Sequence, residues 1–368
     1  MKLTCLKKDL HFALNIVGLA VSSSGTLPVL NNILLKATTG RLYFSATNLE
    51  IAINYSIPVD LKNEGSITIP AKLLTNYITL LEDTDVELRV DDGTTLHLKS
   101  KSSQTKIKGI SPDEFPLIPK VEKETSIQIK AKDLSEAIDS TIFSAAVGGT
   151  RPILAGVFMQ VEKDILKMVA TDSFRLAEKK TKLSHKSEKN IECIVPVKTL
   201  LELGRILGSK YEEEMVDISI SKNQVLFSID GIELISRLIE GKFPDYEKII
   251  PKATRTKLET SVEHLSVAAK RVSLFAKENN NSIKLTATND GKLQISTEET
   301  SVGEEKAELD IKIEGENNKI ALNSQYLLDV LSRMKDDVKI ELDEKLTPVV
   351  VRPAKKEDYL YIIMPLKV

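Results

Sequence analysis

Ala170-Thr171-Asp172-Ser173-Phe174-Arg175-Leu176-Ala177 decides how this chain is read, because it is the most distinctive octet in the sequence and the middle member of a repeated element. Its echoes are Ala46-Thr47-Asn48-Leu49-Glu50-Ile51 and Ala287-Thr288-Asn289-Asp290-Gly291, and all three lie between β-rich runs. Thr followed by Asp or Asn at a strand end reads as a turn, since the short polar side chain bonds its own backbone two residues on. The middle copy adds Phe174 and Arg175, an aromatic and a planar cation beside a turn, a combination suited to a surface that receives a partner.

The repeat extends outward from these turns. An apolar run followed by a short helix recurs as Ile69-Pro70-Ala71-Lys72-Leu73-Leu74, Val195-Pro196-Val197-Lys198-Thr199-Leu200 and Leu322-Asn323-Ser324-Gln325-Tyr326-Leu327, with Pro70 and Pro196 126 positions apart and Pro196 and Asn323 127 apart. Proline is favoured at a helix start because its missing N–H would be unsatisfied there, and Asn323 can cap the same place with its side chain. A longer amphipathic helix is expected early in each third, near 9–21, 132–146 and 262–277; in the last, Val262, Leu265, Ala269, Val272 and Ala276 recur at helical spacing. Short β runs such as Arg41–Ser45 and Lys284–Ala287 fill the space between helices. Proline-bearing segments, Glu114–Lys120 and Lys242–Lys252, close the first two units, since they cannot continue a central strand. The pattern predicts three α+β domains of one architecture, two helices packed on β-sheet in each, at 1–124, 125–252 and 253–368.

Bulk composition agrees. A length of 368 residues exceeds what one core fills, and 42% hydrophobic with 28% charged residues is the balance of a soluble globular protein. No window approaches the roughly 18 consecutive apolar residues of a membrane span, and the N-terminus lacks the apolar stretch of a signal peptide, so the chain reads as cytoplasmic and without a membrane partner. Cys5 and Cys193 fit no metal spacing and read as small apolar core residues. With 51 basic against 53 acidic residues, the net charge of −2 argues against holding nucleic acid by raw electrostatic attraction.

No phosphate-binding glycine loop, dinucleotide fingerprint, zinc-protease helix or nucleophile elbow occurs. His11, His97, His185 and His264 are scattered singly, and Glu212-Glu213-Glu214 reads as a solvated loop. Asp172 and Arg175 could form a catalytic pair, with His185 brought in from elsewhere; the structural alternative has Asp172 bonding the turn and Arg175 pairing with a neighbouring carboxylate or carbonyl. A repeat-domain scaffold without a DNA partner is the third reading.

The three-fold repeat, the octet at 170–177, Arg237-Leu238-Ile239-Glu240-Gly241-Lys242-Phe243-Pro244-Asp245-Tyr246 and the C-terminal Tyr361-Ile362-Ile363-Met364-Pro365-Leu366-Lys367-Val368 together resemble the bacterial sliding clamp family, the β subunit of DNA polymerase III, over the whole chain. The resemblance implies a non-enzymatic processivity factor without a cofactor. It also implies a head-to-tail homodimeric ring around duplex DNA, with helices lining the hole and sheets outside. Such a ring holds by topology, and weak phosphate contacts let it slide. The implied partners are the replicative polymerase catalytic subunit, the clamp loader and other replication and repair proteins, all using one pocket.

Carried over position by position, the resemblance places that pocket at Leu154, Thr171, Ser173, Phe174, Arg175, Leu176, Pro244, Lys248, Ile249, Leu346, Pro348, Ile362, Ile363, Met364, Pro365 and Leu366. Prolines, a methionine and aliphatic residues suit a groove that takes Leu and Phe anchors from a flexible peptide at micromolar-scale affinity. Phe174 stands where many members carry histidine, and Lys248 replaces a frequent arginine. The implied DNA-facing residues are Lys72, Lys198, Arg205, Lys270, Lys277 and Arg333, with Arg151 standing in for tyrosines that some members carry in the Gly148-Gly149-Thr150 loop. Ser24 occupies a place where the family often has arginine. The implied subunit contact sets Ile107 of one copy against Leu274 and Phe275 of the other.

Overall fold

The computed structural model describes residues 1–22, 27–91, 94–121, 125–148, 151–187, 189–301 and 303–367, and divides the chain into two compact units, Met1–Lys132 with Lys198–Leu238, and Asp133–Val197 with Ile239–Val368. Ser24 and the Gly149-Thr150 part of the glycine loop lie outside the described residues. Among the described residues, six helices of eight residues or more stand where the repeat demands them: α1 Lys7–Gly18, α2 Ala71–Thr79, α3 Ala131–Thr141, α4 Val197–Leu207, α5 Val262–Ala276 and α6 Ser324–Leu331. The expected span 132–146 is shortened, because a 3₁₀ turn at Ile142–Ser144 takes over after Thr141, whose hydroxyl bonds back to the Ala137 carbonyl at 2.7 Å.

Helix starts follow the repeat with one correction. Asn323 caps α6, its Oδ1 accepting from the Gln325 amide at 2.8 Å. Pro70 sits one place earlier than the first helical turn. It ends the strand Gly65–Pro70 and serves as the N-cap, with ψ 113° still extended, and Pro196 likewise ends the strand Ile191–Pro196. A fixed φ suits both a strand end and a helix entry, so proline marks the junction itself.

In the first unit an eight-stranded sheet runs in the order Thr125–Lys130, Met215–Ile220, Gln224–Ile229, Ile232–Arg237, Ile51–Pro58, Arg41–Thr47, Asn32–Thr38 and Gly65–Pro70. The antiparallel pairing of Leu234 with Ile53 and of Ile235 with Ala52 joins strands of the first and middle repeats into one surface. A five-stranded sheet completes this unit, and α1 packs on α2 and on the strand Ile51–Pro58.

The second unit repeats the plan. Its nine-stranded sheet contains, in order, Ile191–Pro196, Gly156–Glu162, Ile165–Thr171, Arg175–Lys182, Tyr359–Ile363, Val349–Pro353, Asp337–Leu342, Thr256–Ser261 and Lys312–Gly315, and a four-stranded sheet accompanies it. Here the antiparallel pairing of Leu176 with Ile362 and of Ala177 with Tyr361 makes the join. Alternation along these two strands sorts side chains to two faces. Ala177, Tyr361 and Ile363 enter the core shared with α5 and α6, whereas Leu176, Leu360 and Ile362 pack on the other face with Phe243 and Tyr246.

Cys5 and Cys193 are free and buried, as expected. Burial pushes both thiols from an ordinary value of 9.0 up to about 12, with Asp9 and Asp85 adding to the effect at Cys5. The fold therefore favours the neutral thiol: this stability is fully present below pH 9.0 and is lost as pH rises from there toward about 12. A thiol reagent at pH 8 should find neither cysteine in the folded protein and both in denaturant; rapid modification of either without unfolding would contradict their placement.

Candidate functional site

The turn that opens the octet is built as its sequence predicts. Thr171 Oγ1 donates to the Arg175 carbonyl at 2.6 Å and accepts from the Ser173 amide at 3.1 Å, while Asp172 Oδ1 accepts from the amides of Phe174 and Arg175 at 2.9 and 3.0 Å. The first repeat has the same four bonds: Thr47 to the Ile51 carbonyl, the Leu49 amide to Thr47, and the Glu50 and Ile51 amides to Asn48. Leu49 and Ser173 share a left-handed φ of 74° and 79°. The third copy keeps only the threonine bond, Thr288 to the Lys292 carbonyl at 3.4 Å, and places Gly291 at φ 84°.

What sets the middle copy apart is Arg175. Its Nε donates to Asp172 Oδ2 at 3.0 Å and its Nη1 to Asp329 Oδ2 on α6, and the guanidinium lies over the Tyr326 ring at 4.7 Å from the centroid. Burial works against the charge, but Tyr361, Asp329 and Asp172 outweigh it and hold the guanidinium protonated well above its ordinary range. The pair read as catalytic or structural is thus structural: Asp172 fixes the turn, and Arg175 ties it to α6. His185 is exposed, and among the described residues no cluster of potential metal ligands occurs.

On the opposite face of the same strands lies a groove of about 520 Å³. Leu154, Thr171, Ser173, Arg175, Leu176, Pro244, Ile249, Ile362 and Met364 line it, nine of the residues named from the sequence. The Met364 amide donates to the Phe174 carbonyl at 2.8 Å, which clips the C-terminal segment to the turn and fixes the position of the methionine. At the other wall, Tyr246 donates to the buried Glu178 at 2.6 Å, and burial together with this carboxylate keeps the phenol neutral well above its usual range.

Seven expected pocket residues lie outside the groove lining. Ile363 is fully buried in the helix-side core, because residues adjacent on a strand face opposite ways. Phe174, Leu346 and Lys248 are exposed, and Lys248 bonds Asp245 at 2.7 Å. Pro348 and Pro365 are partly buried, and the Leu366 amide is bound to the Ala321 carbonyl at 2.8 Å. Pro152, Ile153, Lys242, Asp245 and Tyr246 line the groove without having been singled out. Lys242, Asp245 and Tyr246 fall in or beside the Phe-Pro-Asp-Tyr run and Pro152 and Ile153 lie ahead of the octet, but nothing in their periodicity separates groove from core.

Arg151 also lines this groove, its Nη1 donating to Ser173 Oγ at 3.3 Å. Lys72, Lys198, Lys270 and Lys277 are exposed on or beside α2, α4 and α5, with no carboxylate at ion-pair distance among the described residues. Arg205 is paired with Glu202 at 2.9 Å, and Arg333 lies over the Phe143 ring. Leu274 is exposed, whereas Ile107, on the strand Gln104–Lys108, is 5% exposed.

Domain models of the DNA polymerase III beta subunit match the chain in order: the N-terminal domain at residues 1–119, the central domain at 128–245 and the C-terminal domain at 247–367. The chain belongs to this family. The beta sliding clamp of Staphylococcus aureus is 32% identical over 358 residues, 95% of this chain and 94% of the relative, and that of Synechocystis is 31% identical over 388 residues, covering 100% and 99%. The DNA polymerase sliding clamp of Bacillus subtilis superposes with a TM-score of 0.96 at 31% identity, over 100% of this chain and 99% of that one. A Pseudomonas aeruginosa sliding clamp bound to griselimycin gives 0.95 at 28% identity with both chains fully covered. These matches establish the α+β clamp fold for the whole chain.

Replacing Arg175 with alanine leaves two partly buried carboxylates without their cation, which should cost about 3 kcal/mol. An earlier urea transition would report it, and Arg175→Lys should recover little, because an ammonium cannot span Asp172 and Asp329 as the planar fork does.

Proposed function

We propose that this protein is a DNA sliding clamp: a ring of two copies around duplex DNA that tethers the replicative polymerase and other replication and repair proteins through the groove at Leu176, Ile362 and Met364. The observation that carries this reading is the ordered match of all three beta-subunit domain models across the chain. On this reading the chain consists of the three domains 1–124, 125–252 and 253–368, acts in the cytoplasm, and contributes binding surfaces without a catalytic residue or a cofactor.

Two open sheet edges support head-to-tail closure. The strand Gln104–Lys108 pairs on one side only, and residues 99–108 carry four lysines and no carboxylate. Lys306–Asp310 is the other open edge, and residues 298–310 carry six carboxylates and one lysine. Edges of opposite charge can pair between copies as strands, which would satisfy the unpaired backbone groups of both. Leu274 and Phe275 on α5 are then the apolar part of that contact. Lys72, Lys198, Lys270 and Lys277 are the cations left for DNA phosphates, few enough that the protein slides. The clamp loader and polymerase reach the same groove in turn.

Loaded onto nicked circular DNA by a bacterial clamp loader with ATP, the protein should remain bound at moderate salt and leave when the circle is cut once. Retention after cutting, with a steep loss on raising salt, would show charge-based binding and end the ring reading. For the groove, Met364→Ala should weaken a peptide bearing Leu and Phe anchors at least tenfold without changing the dimer's mass in light scattering. Leu176 is a poorer probe, since it is 1% exposed and truncating a core leucine costs roughly 2–5 kcal/mol of stability.

A further inference from the structure

The groove is apolar in its floor but not neutral at its rim. Four charged residues line it: Arg151, Arg175, Lys242 and Asp245. Arg175 is neutralised by Asp172 and Asp329, and Asp245 is paired with Lys248 at 2.7 Å. Arg151 and Lys242 are exposed, and among the described residues neither has a carboxylate at ion-pair distance; the polar contact of Arg151 is the Ser173 hydroxyl. Two positive charges therefore remain uncompensated in the groove lining.

Backbone packing places both on the same wall. Gly241 has φ 132°, and a Cβ added there would stand 2.7 Å from Ile153 Cδ1. The glycine lets the chain that carries Lys242 lie directly against Ile153, two residues from Arg151. Phe174 and Met364 lie at the clip between the turn and the C-terminal segment, where Phe174 is exposed and Met364 partly buried.

We propose that the groove selects peptides carrying acidic residues on one side of their apolar anchors, with Arg151 and Lys242 receiving those carboxylates. The inference rests on the reading of this groove as a peptide site and adds a charge and a polarity to it. The apolar floor holds the anchors, while the two cations, carried by segments that meet at Ile153, favour the peptide direction that brings its carboxylates to that wall. Rim charges act mainly on encounter and orientation, and their pull is screened over about 10 Å at 0.1 M salt and about 3 Å at 1 M.

The test uses the full chain and fluorescein-labelled peptides with Leu and Phe anchors, flanked on either the N- or the C-terminal side by two Glu, two Gln or two Lys, titrated by anisotropy. The expected result is a three- to tenfold preference for Glu over Gln on one flank only, a matching loss for Lys, and a shrinking preference between 0.05 and 0.5 M salt, roughly as the screening length falls. In R151Q/K242Q the Glu-to-Gln ratio should approach one, while Lys222→Gln, which removes an exposed lysine of the other unit, should leave the ratio as it was. Binding of all peptides with no flank preference, or a preference that persists in R151Q/K242Q, overturns the charge selection and leaves the groove reading standing. Failure of every anchored peptide to bind overturns both. The wild-type series at two salt concentrations decides the matter even if the double variant folds poorly.

Discussion

The ladder between Arg175–Lys182 and Tyr359–Ile363 is the interaction on which the second unit depends. It joins strands about 180 residues apart in the chain, pairing Leu176 with Ile362 and Ala177 with Tyr361. One register fixes two surfaces at once, since side chains alternate between faces. A slip of the strand Tyr359–Ile363 by one residue would send Ile362 into the helix-side core and bring Tyr361 and Ile363 to the groove. The Met364-to-Phe174 bond continues the ladder past its last strand residue, so the groove's methionine is held by the same register as its floor.

Arg175 strengthens that arrangement where the groove lining meets α6. Its guanidinium lies among Asp172, Asp329 and the Tyr326 ring, joining the turn to α6. Surface ion pairs contribute little, but a bidentate arginine that is largely buried and hydrogen-bonded holds geometry as well as charge. The first repeat has the same turn with Ile51 in place of arginine, and the third has lost the Asx bonds. The turn alone is thus a generic strand connection, and the arginine is what makes the middle copy a fixed wall.

Much of this was legible in the sequence. Helix positions followed from Pro70, Pro196 and Asn323, and the turn chemistry from Thr-Asp and Thr-Asn, because caps and Asx turns are written in a few adjacent residues. Nine of the residues that the family resemblance names line one groove. What the motifs leave open has a common cause. Position in a motif does not tell that Ile363 and Ile107 are buried, which strand direction and neighbour packing decide. Nor does the loop of Arg151 tell that its guanidinium reaches Ser173. Sequence spacing along one segment does not say which distant segment will lie beside it.

The way the middle repeat is shared has a consequence for how the chain is made. The first unit takes residues 198–238 but not 133–197, so the strand Ile51–Pro58 gains its neighbour Ile232–Arg237 only after the intervening 173 residues have been synthesised. At about 5–20 residues per second, that strand's edge waits on the order of 10–35 s on the ribosome with its backbone groups unpaired. A nascent chain in that interval presents an unpaired edge to other nascent chains. Slowing translation across 133–238 would lengthen the exposure, so in this fold elongation rate bears on the yield of native protein as well as on its speed of production.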